Sequence, residues 1–450
     1  MRVRVAVIAA IVVATGLARQ VNAQQLAGVH VDAEGVLRLQ VHDDPTGELN
    51  RQRVQQAAAG LNTKAATRSP LRKISLTRLE NEVARRLAAG ESLSEEIRFL
   101  AGLTRLRYVF FYPESGDVVI AGPADGWGAD LTGRVVSASS GRPVLELQDL
   151  VVALRAYPPQ GDSARTIGCS IDPTPEGLAR MQQFLAHAMA NATPGDEQAI
   201  VEGLRTNLGM QKISVYGVPA KTHFATVLVE ADYRMKLIGI GLERPPIRMV
   251  NYVEKARPGS LSRNALARWY FMPDYQCVRV SDDRLAMELV GDGVKLVGEN
   301  ELVAANGGRV QSSHVDKASE LFVTSFTKKY GQLAEKSPVY AQLRDLIDMT
   351  VAAAFIRQEG YYAKARWRLE VFGDESKFPV ETHAAPTQVE TVVTSVWKGN
   401  QLMTPVGGGV QVQAERALDS SNLLPDDGHA VRQARQQTTP ELAPGAWWWD

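Results

Sequence analysis

Apolar residues are concentrated once in this chain, from Val5 to Leu17, broken only by Thr15 and Gly16; after residue 23 they are dispersed in short, patterned runs. Arg2 and Arg4 precede the stretch, and Val21 and Ala23 put compact residues just ahead of the polar Gln24-Gln25. That three-part pattern is the pattern of a secretory signal peptide. The stretch is shorter than the ~20 apolar residues of a membrane-spanning helix. Export with cleavage after Ala23 is therefore expected, leaving the periplasm and the exterior as destinations. The best later run, Met349 to Ile356, stops at Arg357, so no transmembrane helix is expected in the mature chain and a soluble fold must be assembled from amphipathic elements.

The leader holds three of the 50 basic residues and none of the 50 acidic ones, so the remainder carries 47 against 50. A nucleic-acid binder needs a basic excess or patch, and this balance excludes neither sign of small ligand but gives no support for nucleic acid. Cys169 and Cys277 are the two cysteines. In an exported chain an even count allows a disulfide between them, and geometry decides whether the sulfurs meet.

The patterning predicts an α+β protein of two mixed domains, with a small N-terminal hairpin module and an extended C-terminal tail. Residues 24–70 read as a hairpin (Gly28 to Val31 and Val36 to Leu39 around a turn ending in Gly35), a helix from Leu49 to Ala59 and a linker. Residues 71–243 read as a first mixed domain. In it, four-residue spacing of Leu79, Val83 and Leu87 predicts a helix ended by Gly90. Leu106 to Tyr112 and Asp117 to Ala121 read as a hairpin, Leu147 to Tyr157 as a helix, and Phe224 to Leu242 as another helix. Arg244-Pro245-Pro246 marks a boundary. Residues 244–413 then read as strands from Trp269 to Val297, helices from Val315 to Glu335 and from Pro338 to Gln358, and strands at Trp367 to Phe372 and Val410 to Gln413. Residues 414–450 are polar, with scattered Pro and Gly, and read as an extended tail ending in Trp447-Trp448-Trp449-Asp450.

Catalytic signatures are missing. No G-x-S-x-G, H-E-x-x-H, Walker A, G-x-G-x-x-G or C-x-x-C occurs. Ser325-x-x-Lys328 and Ser395-x-x-Lys398 match a two-residue pattern, but the S-D-N and K-T-G partners of an acyl-serine enzyme are lacking. No two histidines sit at helical metal-ligand spacing, so neither metal nor cofactor is expected. The polar cluster that could line a cleft is Asp125 and Trp127 in a glycine-rich loop, Arg142, and Asp232. The bland reading competes at each point: Asp125 to Gly128 as a simple turn with a packed tryptophan, and Asp232 with Lys236 at i, i+4 as an ion pair on a solvated face. Trp447, Trp448 and Trp449 either dock on the body or anchor a partner; docking is expected, because an exposed aromatic patch invites aggregation.

Several stretches are distinctive together: Gly141-Arg142-Pro143-Val144-Leu145-Glu146-Leu147, Cys169-Ser170-Ile171-Asp172-Pro173-Thr174, Glu230-Ala231-Asp232-Tyr233-Arg234-Met235-Lys236, Arg268-Trp269-Tyr270-Phe271-Met272-Pro273 and Ser337-Pro338-Val339-Tyr340. With them the chain resembles a planctomycete-type family of exported bacterial proteins classed as a domain of unknown function. The resemblance implies a shared architecture over most of the mature chain and an envelope or extracellular setting. It implies no activity, cofactor or catalytic residue. The functional expectation is a non-enzymatic envelope or secreted protein that binds a partner; the alternative is a hydrolase whose acid and base residues meet only in the fold.

Overall fold

The structure is a computed structural model describing residues 26–188, 196–256, 265–303, 309–311, 316–393, 407–438, 440 and 442–450; the expected leader and cleavage point, and the Ser395 motif, lie outside the described residues. The fold is mixed α+β with three sheets. The largest has nine strands, in the order Leu26–Val31, Val36–His42, Gln388–Glu390, Met210–Tyr216, Ile167–Pro173, Gly407–Val412, Ala265–Pro273, Val294–Val303 and Arg309–Gln311. Gln388–Glu390 runs parallel to Val36–His42, and Gly407–Val412 parallel to Ala265–Pro273; the other neighbours are antiparallel. The second sheet is antiparallel: Val278–Val280, Ala286–Leu289, Tyr108–Tyr112, Asp117–Ala124, Ser69–Ser75 and Trp448–Trp449. A small ribbon pairs Trp127–Ala129 with Val135–Ser137.

Both large sheets take strands from either side of residue 244, so the proline break there does not separate two sheets. One apolar core runs from Leu37 through Trp269 and Phe355 to Trp447. Its axis is the helix Pro338–Gln358, which packs against the helices Leu147–Ala156 and His223–Gly239. Tyr340, Leu343, Ile347, Val351 and Phe355 recur at helical spacing along one face, yet this helix is buried on nearly every side. Where His223–Gly239 crosses the large sheet, a Cβ on Gly239 would stand 2.1 Å from the Trp269 ring, so the helix can approach this closely only as glycine. Trp269 is fully buried there, against Phe322 and Tyr252, with its indole N–H donated to Ser319 Oγ at 2.9 Å.

Two expected elements differ. Trp367 to Phe372 is not a strand. The buried carboxylate of Glu80 accepts the backbone N–H groups of Val371 (2.7 Å) and Phe372 (2.8 Å) and the Trp367 indole N–H, which satisfies the backbone without a neighbouring strand. The tail is not extended either. It forms the helices Ala414–Ala417 and Ala430–Gln436 and the short strand Trp448–Trp449. Val431 packs with Phe110, and Tyr112 Oη lies 2.8 Å from Thr438 Oγ1 and donates toward Arg435 O at 2.9 Å, so polar composition there reflects a solvated outer face. Residues 60–70, read as a linker, contain the helix Thr63–Ala66 and the start of the strand Ser69–Ser75.

Candidate functional site

Two helices begin at the same point in space. Glu146 is the residue before Leu147–Ala156, and Asp149 lies in the first turn of that helix, where the exposed N–H groups favour negative charge. His223 opens the helix His223–Gly239, whose cap is Thr222 Oγ1 accepting the Ala225 N–H at 3.3 Å. His223 Nδ1 lies 2.8 Å from Asp149 Oδ2, and its Nε2 lies 3.8 Å from Glu146 Oε1. Positive charge on His223 is disfavoured by its own helix terminus, so the two carboxylates carry the balance. Burial pulls the imidazole pKa down, but Asp149 and Glu146 outweigh burial and the neighbouring Arg134, and push it up to about 10.

Arg134 supports the constellation from the loop between the strands of the small ribbon. Asp130 Oδ1 accepts from Thr132 N (2.8 Å) and Arg134 N (3.0 Å), which fixes that loop. The Arg134 guanidinium then donates to Gln342 Oε1 (2.9 Å), to Ala27 O (3.0 Å) and to Glu230. Holding the Gln342 oxygen turns its amide nitrogen toward His223 Nε2, at 3.4 Å. That donor favours a neutral ring and the carboxylates a charged one; the full charge at 2.8 Å outweighs a long neutral contact. Below, Glu230 also accepts from Arg234 (3.3 Å), which pairs with Glu243 (2.7 Å). Ala27 O accepts from both arginines, so the N-terminal hairpin is tied to this floor.

These groups face a solvent-open cleft of about 640 Å³. Its walls come from the hairpin (Gly28 to Val31), the ribbon loop (Thr132 to Val135), the two helix starts, Gln342 and the segment Glu381 to Ala384. Asp149 is 3% exposed, and its Oδ1 is buried without a hydrogen-bond partner. Among the described residues no hydroxyl or thiol hydrogen-bonds to His223; the nearby Thr226 gives its hydroxyl to Thr222 O at 3.3 Å.

None of Asp125, Trp127, Arg142 and Asp232 lines this cleft. Asp125 is a loop knot: burial raises its pKa, but donors from Ser137, Ser139 and Gly126 prevail and hold it below the usual carboxylate value. Trp127 is buried near Phe99, and Arg142 pairs with Glu335 at 2.5 Å on the surface. Asp232 and Lys236 do not form a solvated face. They are 0% and 3% exposed, joined at 2.8 Å, and Lys236 also donates to Ile171 O at 3.0 Å. Burial pushes the Asp232 carboxyl up to about 6 despite Lys236. The cysteines are free and buried: Cys169 lies inside the nine-stranded sheet and Cys277 beside the first strand of the six-stranded one, so the bridge that export allowed is not formed. Trp447 is buried, and Trp448 and Trp449 pair with Ile74 and Lys73.

Glu146, Asp149, His223, Arg134 and Gln342 are not among the residues expected from the sequence. The signal it carries is E-x-x-D at a helix start, which puts one acid just before the helix and the other in its first turn. The histidine comes from a second helix, so no spacing along a single helix marks the set.

No helix among the described residues is long and apolar enough to cross a membrane. Comparison with curated proteins and with solved structures finds no match. Residues 169–252 match the model of a family described as "Protein of unknown function (DUF1598)", a stretch that carries His223 and Glu230 but stops short of Glu146 and Asp149 and is much smaller than the resemblance implied.

Proposed function

We propose that this is an exported, non-enzymatic protein of the envelope or the extracellular space, and that it binds its partner in the His223 cleft. The observation that carries the reading is the cleft itself: about 640 Å³, with polar groups converging from distant chain segments beside Val29, Val31, Val135 and Val227. Its floor is held by the ion pairs of Arg134, Glu230 and Arg234, so the polar groups are positioned before any partner arrives. A second reading, acid–base hydrolysis, is favoured by one observation, the 2.8 Å Asp149–His223 contact, which is the orienting half of a hydrolytic constellation. The lack, among the described residues, of a nucleophile bonded to His223 weighs against it.

The test uses the full chain expressed with its leader and recovered from the envelope. N-terminal sequencing should read from Gln24; a terminus at Met1 contradicts export. Thr226→Trp, which places an indole in the cleft, should abolish co-purification of the partner while leaving the melting temperature near that of the wild type. A broad hydrolase screen should find no turnover. Turnover that disappears in His223→Gln would establish the hydrolytic reading instead.

A further inference from the structure

Glu146, Asp149 and His223 form a donor set as well as a polar wall. One donor atom from each lies within 4.8 Å of the other two. Two ligands held at ~2.0–2.2 Å from one cation stand at most ~4.3 Å apart, close to the 4.8 Å span of the set; His223 Nδ1 lies 2.8 Å from Asp149 Oδ2 and Nε2 3.8 Å from Glu146 Oε1, and a turn of the ring that brings one nitrogen to both carboxylates completes the set. The independent sign is Asp149 Oδ1. It is buried, belongs to a carboxylate whose other oxygen meets His223, and accepts no hydrogen bond among the described residues. Stranding a buried carboxylate oxygen is costly unless something positive meets it. Arg134, whose charge acts on His223, is committed to Gln342, Ala27 and Glu230.

We propose that Glu146, Asp149 and a ring nitrogen of His223 bind one divalent cation of the zinc class, with its remaining coordination positions open to the cleft. One imidazole and two carboxylates suit a borderline cation better than calcium or magnesium, which prefer all-oxygen shells. Three protein ligands with an open position are the arrangement that lets a bound cation also take an oxygen donor from a partner. Gln148, donating to Glu146 Oε2 at 2.5 Å, holds that ligand from outside. The inference rests on the same cleft as the proposed function and names what would join partner to protein there.

The experiment is calorimetric titration of the chelator-stripped full chain with Zn²⁺ alone, and with Mg²⁺ as the contrast. One equivalent of Zn²⁺ should bind, with Mg²⁺ at least about 100-fold weaker. Glu146→Gln, Asp149→Asn and His223→Ala should each weaken Zn²⁺ at least about 100-fold. Glu146→Gln, at a partly exposed helix start, tests the set even if a change at a buried member disturbs folding, and metal-free melting curves check each variant. His429→Ala, which removes the exposed His429–Asp282 pair, should leave the titration unchanged. No Zn²⁺ binding, binding that survives Glu146→Gln and Asp149→Asn, or binding lost only in His429→Ala overturns the proposal. Partner capture that Thr226→Trp abolishes, without any Zn²⁺ binding, overturns the cation and leaves the cleft reading standing. Zn²⁺ binding without partner capture does the reverse.

Discussion

Arg72 and His223 are each set among polar groups inside the protein, and the two settings are finished differently. Arg72 is 0% exposed, and its donors reach Ala65 O (3.0 Å), Ala101 O (2.6 Å), Lys64 O (3.0 Å), Thr67 O (2.8 Å) and both Asp450 oxygens (2.9 and 3.0 Å). A guanidinium has five N–H groups, and this one uses all of them. Its plane also lies 4.6 Å from the Trp448 ring. Around His223, by contrast, an oxygen of Asp149 is left over and an open cleft adjoins it. A closed polar network fixes a fold, whereas the network around His223 ends, among the described residues, in an unused buried acceptor next to a residue that lines the cleft. The Arg72 setting is a lock between the C-terminal strand and the body, and the His223 setting is the one we propose as the receptor.

The comparison predicts that changes at the lock cost stability and changes at the cleft cost binding. Deleting Trp447 to Asp450 should have the largest effect, about 4 kcal/mol or more, since it removes a buried tryptophan, a strand and the Arg72 counter-ion. Urea unfolding measures it, and an unchanged midpoint would break the lock account. Arg72→Met should cost about 3 kcal/mol, because Ala65 and Ala101 then lose their buried donors. Asp149→Asn should cost less, about 1.5 kcal/mol, for one weakened charged hydrogen bond. If Asp149→Asn proved as damaging as Arg72→Met, the cleft would be as structural as the lock.

The smallest effect is a pair of opposite pH dependences in the metal-free protein. Burial raises the Asp450 carboxyl, but Arg72 and Ser69 prevail and hold it below its ordinary value. Its contribution is present above the unfolded pKa and is lost as pH falls through the lower folded one. His223 is pushed up from 6.5 to about 10, so its contribution is complete below about pH 6.5 and lost as pH rises through about 10. Unfolding midpoints across pH should show the acid loss shrink in Arg72→Met and the alkaline loss shrink in Asp149→Asn. The same pH profile in both variants would contradict the assignment.

Local elements were readable because their causes are local. The cap Ser75 accepts Arg78 N at 3.3 Å at the start of Leu76–Ala88, and Pro338 opens the long central helix, as their residue types indicate. The Tyr108–Tyr112 and Asp117–Ala124 hairpin follows from its apolar runs and turn. Strand order was not readable. Gln388–Glu390 joins Val36–His42 from the far end of the chain, and nothing in either segment names the other. Trp367 to Phe372 shows how a distant residue overrides a local pattern, since Glu80 takes the N–H groups that a strand would have paired. Asp232 and Lys236 carry the spacing of a surface pair, and only the burial of their helix reverses the reading. At the cleft, E-x-x-D and the capped His223 were visible singly; their meeting is a product of helix packing.

The most direct test of the claim that the cleft, and not the tryptophan-rich end, is the functional surface is site-specific photo-crosslinking in the cell. A benzophenone side chain is placed at Thr226 in the cleft, at Trp449 in the lock, or at the exposed Leu321 as a control. The account predicts one discrete crosslinked product from position 226 and none from 449 or 321. A product from position 449 with none from 226 would contradict it and make the terminal tryptophans the anchor.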